Sequence, residues 1–228
     1  MSKKLIIVGS GNAALCAGIS ALEKGATVKI LEKANEYLAG GNTKYTAGAM
    51  RFVYNNGEEL KPLLKDPYDS KLEKTNFGQY TKEKFSEDLL NFNDGKPLTI
   101  EQKTLINESY ETMKWLSSHD VKFEPIYQRQ SFEKDGKFIF WGGLTLASKN
   151  EGVGLFDQEL EAFKKLGGEI EYETPVTELI KEEGKIIGVK TENNNYIADA
   201  VVLASGGFEA NKEMRSKYLG DHWGVAKV

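Results

Sequence analysis

The chain has 228 residues, of which 40% are hydrophobic, and its formal net charge is −4. A chain of this length and composition can bury a full hydrophobic core, which excludes a wholly disordered protein. The acidic balance argues against a nucleic-acid-binding protein, which needs a basic surface, and no apolar run reaches the roughly 18 residues of a membrane span.

The first thirty residues have the pattern of a βαβ unit. Residues 5–8 form an unbroken apolar run, which is typical of a strand buried on both faces of a parallel sheet. Residues 13–24 carry apolar side chains at helical spacing and end at Gly25, a residue that commonly terminates helices. The next apolar run, residues 28–31, predicts the second strand.

The middle of the chain is less regular. Residues 40–50 are rich in Gly, Thr and Asn and predict an ordered loop, whereas the mostly polar residues 53–80 predict surface segments. Periodicity and turn residues predict helices at 81–93, 99–119 and 155–166, and a hairpin that turns at Asp135-Gly136. We therefore expect one domain over residues 1–228 with a helical insertion at about 53–150.

The last sixty residues are predominantly strand-like. They predict a small antiparallel β-meander built from the runs 169–172, 176–180, 186–191 and 196–198. Residues 200–204 then read as a second fully buried strand, which leads through Ser205-Gly206 into a helix near 211–218. Together the elements predict an α/β fold with a parallel central sheet and a small antiparallel β-meander.

Residues 9–14 read Gly-Ser-Gly-Asn-Ala-Ala, a G-x-G-x-x-A loop that follows a buried strand and opens a helix. In a dinucleotide-binding loop of this kind Gly9 permits the tight turn, and Gly11 lets a pyrophosphate approach the helix N-terminus. Glu32 lies about 20 residues further on, at the end of the next strand, where a carboxylate can accept hydrogen bonds from ribose hydroxyls. The alternative is an ordinary tight βα turn with a surface glutamate.

A second glycine-rich loop follows the second predicted strand. Gly40-Gly41-Asn42-Thr43 and the segment 46–50 supply backbone, amide and hydroxyl donors where an NAD-binding domain usually continues into regular βα repeats. Such a loop suits a cofactor longer than one nucleotide and favours FAD over NAD. An NAD-dependent dehydrogenase remains the alternative.

These motifs resemble the FAD-dependent fumarate reductase and succinate dehydrogenase flavoprotein superfamily, and within it the tricarballylate dehydrogenase type. The resemblance extends over nearly the whole chain. The matching stretches are VGSGNAALCAGISALEKGATVKILEKA, GGNTKYTAGAMRF, FWGGLTL, residues 152–168, ETPVTELI and VVLASGGFEANKEM. The resemblance implies a glutathione-reductase-like Rossmann domain that binds FAD. It also implies an oxidoreductase acting on a C–C bond beside a carboxylate, with hydride transfer to or from flavin N5.

Cofactor-binding residues are carried over by motif from this resemblance. Around the pyrophosphate and adenosine the resemblance places Gly9, Ser10, Gly11, Asn12, Ala13, Glu32, Lys33, Val176, Ala204, Ser205 and Gly206. Around the diphosphate, ribitol and isoalloxazine it places Gly41, Asn42, Thr43, Thr46, Ala47, Gly48 and Ala49. Members with covalently attached flavin carry a histidine in the second loop where this chain has Asn42, so we expect non-covalent FAD.

The resemblance also implies a mobile capping domain and catalytic residues that the 228 residues do not contain. We therefore expect the N-terminal, incomplete part of an FAD-binding domain, with its catalytic residues unknown and FAD binding as the activity of the isolated chain. Arg51 follows the flavin loop, and its guanidinium could hold a substrate carboxylate bidentately. It could equally pair with an FAD phosphate or a surface acid.

The expected partners follow from the same resemblance. They are a small polycarboxylate substrate, such as tricarballylate or fumarate/succinate, and an electron-transfer partner, without nucleic acid or a membrane span. The single cysteine forms no internal disulfide, so we expect a cytoplasmic protein, and we predict no metal site. The alternative from another class is a non-catalytic module that is completed by a second chain.

Overall fold

A computed structural model describes residues 2–227. In that part of the chain the strands are β1 (Lys4–Val8), β2 (Thr27–Leu31), β3 (Ala49–Met50), β4 (Thr75–Asn76), β5 (Phe123–Pro125), β6 (Ser131–Lys134), β7 (Lys137–Phe140), β8 (Leu146–Ser148), β9 (Glu169–Glu171), β10 (Val176–Glu182), β11 (Lys185–Thr191), β12 (Asn195–Ile197) and β13 (Ala200–Leu203). The α-helices are α1 (Asn12–Glu23), α2 (Lys82–Phe92), α3 (Ile100–Ser118), α4 (Tyr127–Gln130), α5 (Glu151–Lys165) and α6 (Lys212–Leu219). Two compact units result, unit 1 (Met1–Asn42 and Gly168–Val228) and unit 2 (Thr43–Gly167).

Unit 1 is built on a four-stranded parallel sheet with the strand order β13-β1-β2-β9. β1 is paired on both sides, and its Ile6 and Ile7 are fully buried, as the unbroken apolar run predicts. The helix α1 directs Ala14, Leu15 and Ile19 into the core. The predicted parallel central sheet is therefore confirmed.

The prediction that residues 200–204 form a fully buried strand is wrong. β13 lies at one edge of the sheet, and its Leu203 is 60% exposed. An apolar run indicates a buried strand but does not show whether the strand has a neighbour on each side.

The antiparallel meander of unit 1 has three strands, β10, β11 and β12. Val189 of β11 and the adjacent Ala198 pack with Ile6 and Leu31 of the parallel sheet in one buried cluster. Burial of this apolar area drives the packing of the meander on the sheet. The meander is thus confirmed, although it is one strand smaller than expected.

The prediction that residues 169–172 belong to the meander is wrong. β9 pairs in parallel with β2, with Ile170 opposite Ile30. Lys29 of β2 also reaches Glu169 and Glu171 on β9, with Nζ to carboxylate distances of 3.2 and 3.5 Å. A three-residue strand has no sequence signal for the direction of its partner, so pairing with a distant strand decided its place.

Unit 2 contains two three-stranded sheets, with the orders β3-β8-β5 and β4-β7-β6. The predicted hairpin is confirmed as β6 and β7, joined by Asp135 and Gly136, whose φ angles are +53° and +71°. Two consecutive positive φ angles are those of a type I′ turn, which Asp-Gly favours. The predicted helices at 81–93 and 99–119 are confirmed as α2 and α3.

The prediction that residues 53–80 are surface segments is wrong. Tyr54, Leu60 and Leu63 are at most 1% exposed, and Phe77 is 6% exposed. This stretch folds into short 3-10 turns and isolated bridges, among them the turns Gly57–Glu59 and Lys61–Leu63. Such short pieces bury single apolar residues without the regular spacing by which a sequence indicates burial.

The helix predicted at 155–166 begins earlier in the structure, at Glu151. Its first turn contains Gly152 and Gly154, both buried. Glycine is a poor helix former, so periodicity alone placed the start after these two residues. No helix within residues 2–227 is both long enough and apolar enough to cross a membrane.

Candidate cofactor site

The carboxyl ends of β13, β1 and β2 lie side by side at one edge of the parallel sheet of unit 1. Residues 9–14 leave β1, Glu32 and Lys33 leave β2, and residues 204–206 leave β13. In open α/β sheets ligands bind beyond the carboxyl ends of the strands, where neighbouring connections diverge. The structure therefore brings together three segments that the sequence assigned to one cofactor.

Gly9 lies where two of these segments approach each other closely. Its φ angle is +97°, and a Cβ added to it would lie 2.5 Å from the carbonyl oxygen of Ala204. The Gly9 amide donates to the carbonyl of Leu31 at 2.9 Å, and the Ala204 amide donates to the carbonyl of Val8 at 2.9 Å. Only glycine satisfies both the backbone angle and the close approach.

The N-terminus of α1 has the donors that a phosphate group needs. Gly11 occupies the N-cap position in an extended conformation, so no side chain caps the first turn. The backbone N–H groups at a helix start carry partial positive charge and lack partners within the helix. This end of α1 therefore fits an anionic group such as a pyrophosphate.

Ser10 and Glu32 form a buried hydrogen-bonded pair at the same edge. Their exposed fractions are 1% and 7%. The Ser10 hydroxyl donates to Glu32 Oε2 at 2.6 Å and accepts from the Gly40 amide at 3.1 Å. The other carboxylate oxygen, Glu32 Oε1, accepts from the Ala34 amide at 2.8 Å. The Glu32 carboxylate is thus buried and hydrogen-bonded at both oxygens, and Glu32 is not the surface glutamate of the alternative interpretation.

The other predicted residues of unit 1 differ in their exposure. Lys33, Gly41 and Asn42 are exposed, whereas Val176, at the start of β10, is half-buried. The Val176 side chain packs against the core of unit 1. Its predicted contact with adenine stays a prediction.

The second glycine loop continues into unit 2 as a tightly bonded segment. The Thr46 hydroxyl donates to the carbonyl of Thr43 at 3.1 Å and accepts from the Gly48 amide at 3.1 Å. The Thr46 carbonyl in turn accepts from the Gly152 amide at 3.0 Å. These bonds give residues 43–49 a defined shape from within the chain, as expected of an ordered loop.

Two glycines in unit 2 make room for this loop. A Cβ on Gly152 would collide with the Thr43 carbonyl, and a Cβ on Gly48, whose φ is +63°, would collide with Ser148 and Glu151. Sequence reasoning named Gly48 but missed Gly152. Gly152 lies just before a predicted amphipathic helix. Glycine disfavours a helix at such a position, so its presence there indicates that a neighbouring segment packs closely.

Arg51 lies in a polar cluster of unit 2. Its Nη1 donates to the Tyr80 hydroxyl at 3.0 Å and lies 3.7 Å from Asp88 Oδ2, while Tyr80 itself donates to Asp88 at 2.6 Å. That hydrogen bond from Tyr80 lowers the pKa of Asp88, and burial is the main cause of the raised pKa of Tyr80. A Cβ on Gly143, in the FWGG stretch, would lie 2.6 Å from Arg51 Nη1, so this glycine lets the chain pass close to the guanidinium.

Tyr172 is a further candidate that sequence reasoning missed. Its hydroxyl is buried and has no hydrogen-bond partner within the described residues. Burial raises the pKa of Tyr172, and the carboxylates of Glu36 and Glu32 raise it further. An unpaired buried hydroxyl is a polar group for which a ligand could supply the missing partner. A tyrosine that directly follows a three-residue strand carries no sequence signal for such a role.

Comparison with known proteins decides the family. The profile of a family described as an FAD binding domain matches residues 4–226. The chain belongs to this FAD-binding domain family. The match confirms FAD as the predicted cofactor and does not support the alternative of an NAD-dependent dehydrogenase. The uncapped helix α1, the close approach at Gly9 and the buried Glu32 all fit a dinucleotide of this kind.

Several reductases are similar to this chain in sequence. Urocanate reductase of Eggerthella lenta is 30% identical over 94% of this chain and 33% of its own length. Fumarate reductase (cytochrome) of Shewanella frigidimarina is 28% identical over 93% of this chain and 34% of its own length. The chain thus spans about a third of the length of these relatives, and their names as reductases agree with the predicted family of oxidoreductases.

Solved structures confirm the fold. The open conformation of a flavocytochrome c3 fumarate reductase matches with a TM-score of 0.68 and 22% identity, over 95% of this chain and 36% of that one. A 3-ketosteroid delta1-dehydrogenase from Sterolibacterium denitrificans matches with a TM-score of 0.71 and 14% identity, over 95% of this chain and 50% of that one. At these identities the likeness concerns the fold alone, and the α/β architecture of a Rossmann-type FAD-binding domain is confirmed.

Proposed function

We propose that this chain is the FAD-binding part of an oxidoreductase that acts on a C–C bond beside a carboxylate. The proposed substrate is a small polycarboxylate such as tricarballylate or fumarate/succinate. The observation that carries the proposal is the family match over residues 4–226, together with relatives named as urocanate, acrylate and fumarate oxidoreductases. Urocanate, acrylate and fumarate all have a C=C bond conjugated to a carboxylate, which supports a carboxylate-bearing substrate.

The residues proposed to hold FAD are those at the sheet edge of unit 1 and in the loop of unit 2. We assign the pyrophosphate to Gly9–Ala13 at the start of α1, the adenosine ribose to Glu32, and the adenine edge to Lys33 and the Val176 backbone. The residues that we assign to the surroundings of the adenosine nucleotide half of FAD are Ala204, Ser205 and Gly206. The residues proposed along the rest of the cofactor are Gly41, Asn42, Thr43, Thr46, Ala47, Gly48 and Ala49, with Asn42 in place of a flavin-linking histidine.

The cofactor and the protein contribute different parts of the proposed reaction. When bound, FAD supplies hydride transfer at its flavin N5. This chain's residues bind and orient: the α1 N-terminus attracts the negative charge of the phosphates, and Glu32 accepts hydrogen bonds from ribose.

We assign a substrate carboxylate to Arg51. Its side chain is 43% exposed, and the ion pair with Asp88 and the bond to Tyr80 hold only its Nη1 end. A guanidinium has five N–H donors in a planar fork, so donors remain for a bidentate contact with a carboxylate. The cluster with Tyr80 and Asp88 then acts as the support that fixes the guanidinium plane.

The proposed function is tested on the purified chain loaded with FAD. We expect a flavin absorbance spectrum, release of the flavin on denaturation, and a saturable change in the flavin band when tricarballylate, fumarate or succinate is added. Arg51→Ala should weaken the binding of these acids at least tenfold, because a charge-assisted hydrogen bond contributes about 1.5–3 kcal/mol. FAD affinity should be unchanged in this variant.

Arg129→Ala is the matched control, because Arg129 is an exposed arginine of unit 2 whose Nη2 pairs with Glu151 at 3.2 Å. It should change neither FAD affinity nor acid binding. Unchanged acid binding in Arg51→Ala would overturn the role of Arg51. An FAD-loaded chain whose flavin spectrum responds to none of the acids would favour the second candidate, a non-catalytic module that a second chain completes.

The compartment and the electron-transfer partner are proposed with the function. A chain with one cysteine and no internal disulfide is compatible with the reducing cytoplasm. The relatives named as NADH-linked or cytochrome-linked oxidoreductases support an electron-transfer partner for this protein.

A further inference from the structure

We propose that Ser10 is a positioning residue for the cofactor, which acts by fixing the Glu32 carboxylate against the adenosine ribose. Motif resemblance assigned Ser10 to the pyrophosphate. The structure turns its hydroxyl the other way, toward the end of β2. The inference rests on the FAD-binding family and is independent of the proposed substrate.

The direction of each hydrogen bond at Ser10 follows from its partners. The Gly40 amide can only donate, so the Ser10 oxygen accepts from it at 3.1 Å. The single hydroxyl proton is then donated to Glu32 Oε2 at 2.6 Å. Ser10 therefore connects the first glycine loop to the acid after β2 and to the start of the second glycine loop.

Glu32 is held at both of its oxygens. Oε2 accepts from Ser10, and Oε1 accepts from the Ala34 amide at 2.8 Å. The backbone of Glu32 is also fixed, since its amide donates to the Glu171 carbonyl at 2.9 Å and its carbonyl accepts from the Thr174 amide at 2.8 Å. With all of these bonds in place the carboxylate has one orientation.

A fixed carboxylate still has capacity for a ligand. An ionised carboxylate offers about four lone-pair positions, of which Ser10 and Ala34 use two. The remaining positions can accept from ribose hydroxyls, and a preorganised acceptor binds more tightly because no side-chain rotation has to be frozen on binding. Loss of the Ser10 oxygen would free the Oε2 end of Glu32 and leave the buried Gly40 amide without its acceptor.

A double-mutant cycle tests whether Ser10 acts through Glu32. The Kd for FAD is measured by the change in flavin fluorescence in the wild-type chain, Ser10→Ala, Glu32→Ala and the double variant. We expect Ser10→Ala to raise the Kd about fivefold to tenfold in the wild-type background and less than twofold in the Glu32→Ala background. Removal of a purely structural contact would weaken binding equally in both backgrounds.

The second measurement isolates the ribose. The same proteins are titrated with the FAD analogue whose adenosine is 2′-deoxyadenosine. The wild-type chain should prefer FAD over this analogue, and Ser10→Ala and Glu32→Ala should both reduce that preference toward equality. Ser20→Ala, at a half-buried serine of the same helix α1, is the matched control and should retain the wild-type preference.

The outcomes separate the alternatives. An equal effect of Ser10→Ala in both backgrounds, or an undiminished preference for FAD over the analogue, would overturn the proposal and leave Ser10 with its pyrophosphate assignment alone. If Ser10→Ala does not fold, Ser10→Cys, which retains a small side chain with a weak donor, is put through the same cycle. Neither readout requires turnover, so failure of the proposed substrate would leave this result intact.

Discussion

Two glycines of unit 1 show that the local backbone angle and the contacts with distant segments constrain the choice of residue separately. Gly9 and Gly25 both have positive φ angles, +97° and +80°. Only Gly9 faces another segment, since a Cβ on Gly25 would meet nothing within 4 Å. Gly25 therefore allows the helix to end, whereas Gly9 also allows the chain after β13 to lie close to the chain after β1.

We expect Gly9→Ala to lower the free energy of unfolding by about 3 kcal/mol, from backbone strain and overpacking together. Gly25→Ala should cost about 1 kcal/mol, because it incurs strain alone. Urea denaturation followed by circular dichroism measures both. Equal losses in the two variants would show that the contact between Gly9 and Ala204 is not close.

Polar side chains also combine a property that the sequence indicates with one that only the fold decides, as Ser10, Glu32 and Arg51 show. The sequence indicated that these residues could contact a ligand. It could not indicate their partners, because Ser10 meets Glu32 across paired strands and Arg51 meets Tyr80 and Asp88 across a folded loop. Which donors remain available to a ligand depends on those partners.

At the scale of elements, the last helix depends on one buried arginine. Arg215 of α6 is 7% exposed, and its guanidinium donates to the carbonyls of Trp223, Ala226 and Glu209. The bonds to Trp223 and Ala226 measure 3.0 Å each. These bonds tie the 3-10 turn Asp221–Val225 back onto α6 and supply acceptors to a buried cation.

Arg215→Met should release this turn. Loss of the charged donor removes bonds that together contribute about 2 kcal/mol, so amide hydrogen exchange at Trp223 and Ala226 should become at least tenfold faster. Lys217→Met, at an exposed position of the same helix, is the control and should leave the exchange rates unchanged. Similar rates in wild type and Arg215→Met would contradict the role of Arg215.

Elements with a long periodic pattern were predicted well, and elements without one were not. α1, α2 and α3 and the hairpin of β6 and β7 follow from helical spacing and from Asp-Gly turn chemistry. The pairing of β9 with β2 and the burial of Leu60 and Leu63 do not, since three-residue strands and 3-10 turns have no period. Tertiary contacts alone decide the place of such short pieces.

At the scale of the whole molecule, the cofactor site of unit 1 is assembled from segments far apart in sequence. Residues 9–14, 32–33 and 204–206 meet only at the carboxyl edge of the folded sheet. A ligand that binds all three segments binds the folded state and not the unfolded chain. Its binding free energy therefore adds to the stability of the fold.

FAD should accordingly raise the melting temperature of the chain. At a free concentration one hundred times its Kd, FAD adds about 2.7 kcal/mol, which is about 5–10 °C for a chain of this size. Differential scanning calorimetry with FAD, and with NAD as the control ligand, measures this. A larger shift with NAD than with FAD would contradict the assignment of the site.

The sequence by itself determined the class of fold and cofactor. Glycines at a strand-to-helix turn, an acid after the next strand and a second glycine loop are local backbone requirements of FAD binding, and local requirements are written in consecutive residues. The tertiary structure alone decided that β9 joins the parallel sheet, that the Ser10 hydroxyl points to Glu32, and that Tyr172 has a buried hydroxyl without a partner among the described residues. Those features depend on which distant strands pair and which side chains then lose access to water, and neither is encoded in the spacing of neighbouring residues.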